Sequence, residues 1–364
     1  MMLSENQTTN DYYDCSMFTL RLNKETAPIY LMGAVALISM VAGHSHPLDD
    51  SWWETWFSDL VAFIYTYHTQ LYFFLGGFFL LKYSEKIDAS GYRRWCFDRL
   101  RIFLIPYFSV SVISYLPKVI LMNDNTGFPE MIRNLLLYPR DGVWGHFWFI
   151  PAFLFVDLLW GTWLAFGIKS KFVCEAVFIC GGVISVVLAV FPIKNNIFLL
   201  TDISFHAVFY FIGMLFALFS IEKGINRKIS ISSIVVGCIV LLISYPYGNY
   251  RITSYPVINF LNGLLIIVIL WSVSDLAAPG INKLLKYSSS ISKYSFTIYL
   301  YSWPVQAVFD VILRRLGVNW LVIIIALFVA GFVIPLAMTY IYQKLQFIHC
   351  RFFDYLLGVR TTGD

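Results

Sequence analysis

Five histidines of this chain sit at the edge of, or inside, apolar and aromatic runs, where a proton-transferring group has a reason to be. His44 and His46 follow the apolar run that ends at Gly43, in Gly43-His-Ser-His-Pro47. His68 lies about eleven residues into a run beginning at Phe57, a depth at which ionisable groups are costly and usually face a polar cavity or a partner. Tyr65, Thr69 and Tyr72 lie within about one helical turn of it. His146 stands in Gly145-His-Phe-Trp148-Phe-Ile-Pro151, and His206 in Asp202-Ile-Ser-Phe-His206. An imidazole with a pKa near about 6.5 takes a proton from a hydroxyl at neutral pH. Blander roles give the same spacing. His44 and His46 would also suit headgroup or water contacts, and His68 and His206 would also suit a bond to a neighbouring helix.

A second set suits anions. Arg93, Arg94, Arg99 and Arg101 crowd the approach to Ile102, and guanidinium forks match phosphate geometry. If the chain is helical there, Arg94, Asp98 and Arg101 share one face. An anchor belt of arginines on lipid phosphates is the alternative. Trp148 beside His146 offers an aromatic face on which a sugar can stack, or one more ring of an interfacial belt.

The elements that must position these residues are membrane helices. Of 364 residues, 59% are hydrophobic and 13% charged, and the mean hydropathy is +0.69. That composition excludes a soluble domain. Ten apolar spans are predicted, near 27–43, 57–81, 102–122, 147–166, 172–191, 203–220, 229–245, 257–273, 295–313 and 320–342. Lysine and arginine concentrate after the even-numbered spans and in the N-terminal segment. With a polar tail at 1–26, a membrane domain at 27–345 and a second tail at 346–364, both termini are predicted to be cytoplasmic. The fold class is thus an all-α polytopic bundle.

The net charge of +4 comes without a basic arm, which argues against a nucleic-acid partner. Six cysteines show neither CxxC nor zinc spacing, so they read as reduced or lipid-facing and no metal is expected. The sequon at Asn6 faces the cytoplasm in this orientation. The longest outer loop, 123–145, is placed to cover a site. GxSxG, HExxH and P-loop motifs are absent.

The order of these motifs resembles the integral-membrane acyltransferase-3 family. The resemblance rests on Gly43-His44, on the aromatic-His68 step followed by Phe73-Phe-Leu-Gly-Gly-Phe-Phe-Leu80, and on Arg99-Leu-Arg101 before Ile105-Pro-Tyr107. It continues through His146-Phe-Trp148 to Ser295-Phe-Thr-Ile-Tyr299. In that family a basic residue precedes the histidine by eleven positions, and here that position is Gly33. Lys24 is on the order of 30 Å away along a helix and does not replace it. Where the family often has a proline after the aromatic-His step, this chain has Gln70, and Ser302 stands where a histidine is frequent.

What the resemblance implies is an O-acyltransferase of the bacterial inner membrane. A cytoplasmic acyl-CoA, with acetyl-CoA the expected donor, docks its phosphates on Arg93, Arg94, Arg99 and Arg101. His44, helped by His46 or His68, is the general base on a sugar hydroxyl of a cell-surface glycan or lipid-linked precursor. His146, Trp148 and His206 hold that acceptor. The rival from another class is an exporter or flippase of glycan or lipid intermediates, favoured by Gly33. It would be expected to show broken helices in matching halves. A glycan polymerase comes third, because the outer loop offers only Arg133 and Arg140.

Overall fold

The computed structural model describes residues 13–14, 27–49, 56–82, 91–122, 126–167, 171–219, 226–244, 256–277, 294–345, 351–358 and 360–361. Asn6, Trp52, Trp53, Lys86, Lys169, Lys223, Lys283, Lys286 and Lys293 lie outside these residues, as does most of the N-terminal segment. The helices are α1 (Ala27–Gly43), α2 (Trp56–Tyr65), α3 (His68–Lys82), α4 (Tyr92–Met122), α5 (Phe128–Leu137), α6 (Phe149–Gly167) and α7 (Lys171–Val190). They continue as α8 (Leu200–Leu218), α9 (Arg227–Ser244), α10 (Pro256–Ala277), α11 (Ser295–Arg315), α12 (Trp320–Lys344) and α13 (Arg351–Leu357). Counting α2 and α3 as one crossing and leaving out the short α5 and α13, the described residues make ten crossings, seven of them by long, strongly apolar helices. The polarity is inverted relative to a soluble protein: Ile179 and Val183 on α7 and Leu242 and Ile243 on α9 are exposed, as a lipid-facing surface requires.

Two-residue strands at Tyr13–Asp14 and Arg360–Thr361 pair antiparallel. Both termini therefore lie on one face, the one that the lysine and arginine distribution assigns to the cytoplasm. The C-terminal segment differs from the expected plain tail, because α13 is tied to the bundle. Thr297 Oγ1 donates to the Leu357 carbonyl at 2.5 Å, Tyr301 Oη to the Leu356 carbonyl at 2.8 Å, and Tyr342 Oη to Asp354 Oδ1 at 2.7 Å.

The second crossing departs from the single helix expected over 57–81. It breaks at Thr66 and Tyr67, where Thr66 N bonds back to the Phe63 carbonyl at 3.1 Å and Tyr67 N to the Ile64 carbonyl at 3.2 Å. The cause is local competition for backbone acceptors. Thr66 Oγ1 donates to the Phe63 carbonyl at 2.7 Å, and the His68 ring takes the Ile64 carbonyl at 2.9 Å. Such side chains offer the backbone an alternative to the helical ladder. Tyr67 Oη meets Ser39 Oγ at 2.7 Å and ties the break to α1. Irregular backbone within a membrane is tolerated where it is buried in protein or lines a cavity.

Below the break, α3 runs parallel to α8 at backbone contact. A Cβ on Gly77 would run into the Tyr210 carbonyl, and one on Gly213 into the Phe74 carbonyl. Small residues at facing positions permit this approach. Gly213→Ala is expected to cost about 1–3 kcal/mol by forcing the pair apart. Gly33→Ala, whose Cβ would find nothing nearer than Leu75 Cδ1 at 4.0 Å, should leave the midpoint unchanged. Thermal unfolding in detergent distinguishes the two.

Candidate active site

The fold gathers four of the five candidate histidines around one cavity of about 300 Å³. His44, His68, His146 and His206 line it together with Tyr65, Gln70, Tyr72, Arg140, Trp148 and Asn259. Each comes from a point where a helix begins, ends or breaks. His44 follows the last turn of α1, and His68 opens α3 rather than sitting in the middle of a continuous span. His146 and Trp148 lie in a 3-10 turn ahead of α6. His206 is in the second turn of α8, whose entry is bent by left-handed Phe198 (φ 50°) and Leu199 (φ 61°). Non-glycine residues in that region are strained and persist where the surroundings hold them. Here Thr201 Oγ1 donates to the Ile193 carbonyl at 2.7 Å and fixes the bend.

Partners set the chemistry of each ring. Tyr65 Oη lies 3.1 Å from His44 Nδ1. His44 is also edge-on to His68 at 6.4 Å and 5.5 Å from His146, between ring centroids. Burial holds the His44 pKa well below the usual histidine value, and the neighbouring His146, His68 and His46 push it the same way. Its neutral form, the one that accepts a proton, is therefore the resting form. His68 Nδ1 bonds the Ile64 carbonyl and His206 Nδ1 bonds the Asp202 carbonyl at 2.8 Å. A carbonyl only accepts, so in both rings Nδ1 carries the hydrogen and Nε2 the lone pair. Thr69 Oγ1 lies 3.2 Å from His68 Nε2. In His206 the lone pair is uncommitted among the described residues.

Both ring nitrogens of buried His146 lack a hydrogen-bond partner, as do Gln70 Oε1 and Tyr72 Oη. All three residues line the cavity. Buried polar atoms without partners are costly, so this wall is shaped for a polar occupant. No group of three His, Cys, Asp or Glu side chains among the described residues has the geometry to hold a metal ion.

His46, Trp148 and the arginine set are placed differently from expectation. His46 does not line the cavity. Its Nδ1 bonds the Pro47 carbonyl at 3.1 Å, and its ring is tilted against Trp303, whose centroid stands 5.1 Å from His44 and 5.5 Å from His46. Trp148 has one face covered by the Arg140 guanidinium, 4.2 Å from the ring centroid, so that face is closed to a stacked sugar. The arginines do not converge. Arg93 lies over Phe97, Arg94 faces Asp98 at 4.0 Å as the helical spacing predicted, and Arg101 is exposed. Arg99 turns inward, with Nε 3.2 Å from Asp157 Oδ2, and Tyr210 Oη donates to the other carboxylate oxygen at 2.5 Å. From His68 at the cavity to Lys82, α3 spans roughly 20 Å, so the arginines and the histidines occupy opposite ends of the bundle.

Sequence reasoning missed two charged pairs, Arg99 with Asp157 and Arg140 with Asp202. The second joins Arg140 Nε to Asp202 Oδ2 at 2.8 Å, with a further bond from Nη2 to Oδ1. A lone carboxylate within each apolar run was the available signal. Among the described residues, Arg140, from the expected covering loop, is the one permanent cation lining the cavity. A basic group therefore does reach the histidines, although the position before His44 is Gly33.

A bundle whose crossings deliver neutral histidines and partnerless polar atoms to one internal cavity has the architecture of a membrane-embedded enzyme. The chain matches the family model for an acyltransferase domain over residues 31–340, and it belongs to the acyltransferase-3 family. It is a membrane acyltransferase. No curated protein and no solved structure gives a significant match.

The two arginine environments predict different costs. Arg99→Ala strands the buried Asp157 carboxylate and should destabilise by about 3–5 kcal/mol. Arg94→Ala removes an exposed pair and should cost about 0–1 kcal/mol. Denaturation of the two variants side by side checks this.

Proposed function

We propose that this protein transfers an acyl group, acetyl in the simplest case, from cytoplasmic acyl-CoA to a hydroxyl of an extracytoplasmic sugar. The sugar belongs to a cell-surface polysaccharide or its lipid-linked precursor, and the membrane is the bacterial inner membrane. The observation that carries this reading is the cavity wall. Aromatic rings stand there beside uncharged polar atoms without partners on Gln70, Tyr72 and His146. A polyhydroxyl compound satisfies such a wall without bringing charge into it.

His44 takes the proton from the attacking hydroxyl at the ring nitrogen that Tyr65 does not engage. The oxygen then attacks the thioester carbonyl, the C–S bond breaks, and the proton passes from His44 to the departing thiolate. His68 and His206, each with Nε2 as an acceptor, bind further hydroxyls, and His146 hydrogen-bonds the same substrate. At the other end of the bundle, Arg93, Arg94 and Arg101 meet the phosphates of the donor. Arg99, engaged with Asp157, braces α4 against α6 and is a support for that surface rather than a phosphate ligand.

The test is a deletion strain complemented with wild type or His44→Ala at matched membrane levels, with base-labile acetate on surface polysaccharide as the readout. Wild type should restore the ester, and the variant should lose at least about 10²-fold. A change in total surface glycan at constant ester per sugar would favour export instead. Acidification gives a second test. Because the His44 pKa lies below the ordinary value, the neutral base persists below pH of about 6.5. The acid limb of purified transferase activity should accordingly fall below that pH rather than at it.

A further inference from the structure

Helix α11 carries Gln306, Asp310 and Arg314 at four-residue spacing, on one face of a membrane-crossing helix. Gln306 and Asp310 are fully buried. Polar groups at such positions are costly and signal a purpose. The loop contacts of all three fall on one short stretch of chain. Gln306 Nε2 donates to the Val41 carbonyl at 3.1 Å and to Ser45 Oγ at 2.9 Å, and it lies 3.3 Å from the Leu327 carbonyl of α12. Ser45 Oγ donates to the same Val41 carbonyl at 2.6 Å. One turn on, Asp310 Oδ2 accepts from Leu48 N at 3.1 Å and from Arg314 Nε at 2.8 Å. Arg314 Nη1 reaches Asp49 Oδ2 at 3.6 Å.

The clamped stretch brackets His44 and His46. A helix C-terminus leaves its last carbonyls without intrahelical partners, and the turn from Val41 to Asp49 has few backbone bonds of its own. His44 N bonds the Met40 carbonyl at 3.3 Å and Ser45 N the Ala42 carbonyl at 3.0 Å. The Gln306 amide supplies what the turn lacks. It is itself confined, because Gly331 of α12 brings the backbone so close that a Cβ there would lie 2.7 Å from Nε2. Two rigid helices thus hold the segment on which the imidazole is mounted.

We propose that Gln306, backed by Asp310 and Arg314, is a positioning residue for His44. It fixes the turn after α1 so that the ring stays against Tyr65 and faces the cavity. The proposal rests on the reading of His44 as the base. Without the amide donor the Val41 carbonyl and the Ser45 hydroxyl lose their anchor, and the turn shifts relative to the substrate. A displacement of the order of 1 Å is enough to cost about 10²-fold in rate.

The full-length protein in nanodiscs, as wild type and Gln306→Leu, tests this. One measurement is acyl-CoA turnover. The other is carbethoxylation of each histidine by diethyl pyrocarbonate, read by peptide mass spectrometry. The variant should lose about 10²-fold in kcat with KM for acyl-CoA changed by less than about two-fold, and the reaction rate of His44 should change while that of His206 does not. Unchanged kcat in folded variant overturns the proposal. So does a loss that merely tracks a fall in thermal stability with His44 reactivity unaltered. If the variant is not recovered folded, Ser45→Ala removes one of the two loop partners and carries the same comparison, with a smaller loss. If wild type itself releases no acyl group, the acyltransfer reading fails. The carbethoxylation arm then decides the clamp alone: altered His44 reactivity upholds it, and unaltered reactivity rejects it.

Discussion

The backbone contact between α3 and α8 is the constraint on which the site depends. Helices in lipid gain little from hydrophobic association, so close packing must come from surface shape. Gly77 and Gly213 provide it by letting each helix meet a carbonyl of the other. With that register set, Phe73 stacks on His206 at 5.1 Å, and the two helix starts that carry His68 and His206 arrive at the same depth. The cavity is the space left above this contact, where α3 has just begun and the chain before it has broken.

Among the described residues, three buried carboxylates of the bundle each face an arginine: Asp202 faces Arg140, Asp157 faces Arg99, and Asp310 faces Arg314. Backbone carbonyls take Nδ1–H of His68 and His206, which fixes the ring orientation and leaves Nε2 as the acceptor of the neutral ring. An interior of this kind excludes ions and accepts polar, uncharged matter. In the reaction proposed above, such an interior keeps the reacting atoms apart from the donor phosphates that the proposal assigns to the arginines at the other end of the bundle.

Much of the fold was legible in order. Ten apolar spans, their approximate limits and the shared face of the termini follow from hydropathy and from lysine and arginine placement, because lipid imposes length and sign rules on any crossing. Less legible was the break at Thr66, where no proline or glycine announced it. Its cause is two side chains, Thr66 and His68, that compete with the helix for the carbonyls of Phe63 and Ile64. The ion pair of Arg99 was hidden for a similar reason. Its partner Asp157 is far away in sequence, and only packing of α4 on α6 brings the two charges together.

The sequence by itself determined the class of the protein, the crossings, and the residue types able to move a proton: a histidine after Gly43, another beside Tyr65, a third before Trp148. These are local properties of composition and spacing. Only the tertiary structure decided that His44, His68, His146 and His206 share one cavity while His46 stands apart behind Trp303. It likewise decided that Arg140 lines the same cavity. The reason is that convergence of side chains from separate helices depends on where helices start, break and touch, and those points are set by contacts between residues far apart in the sequence.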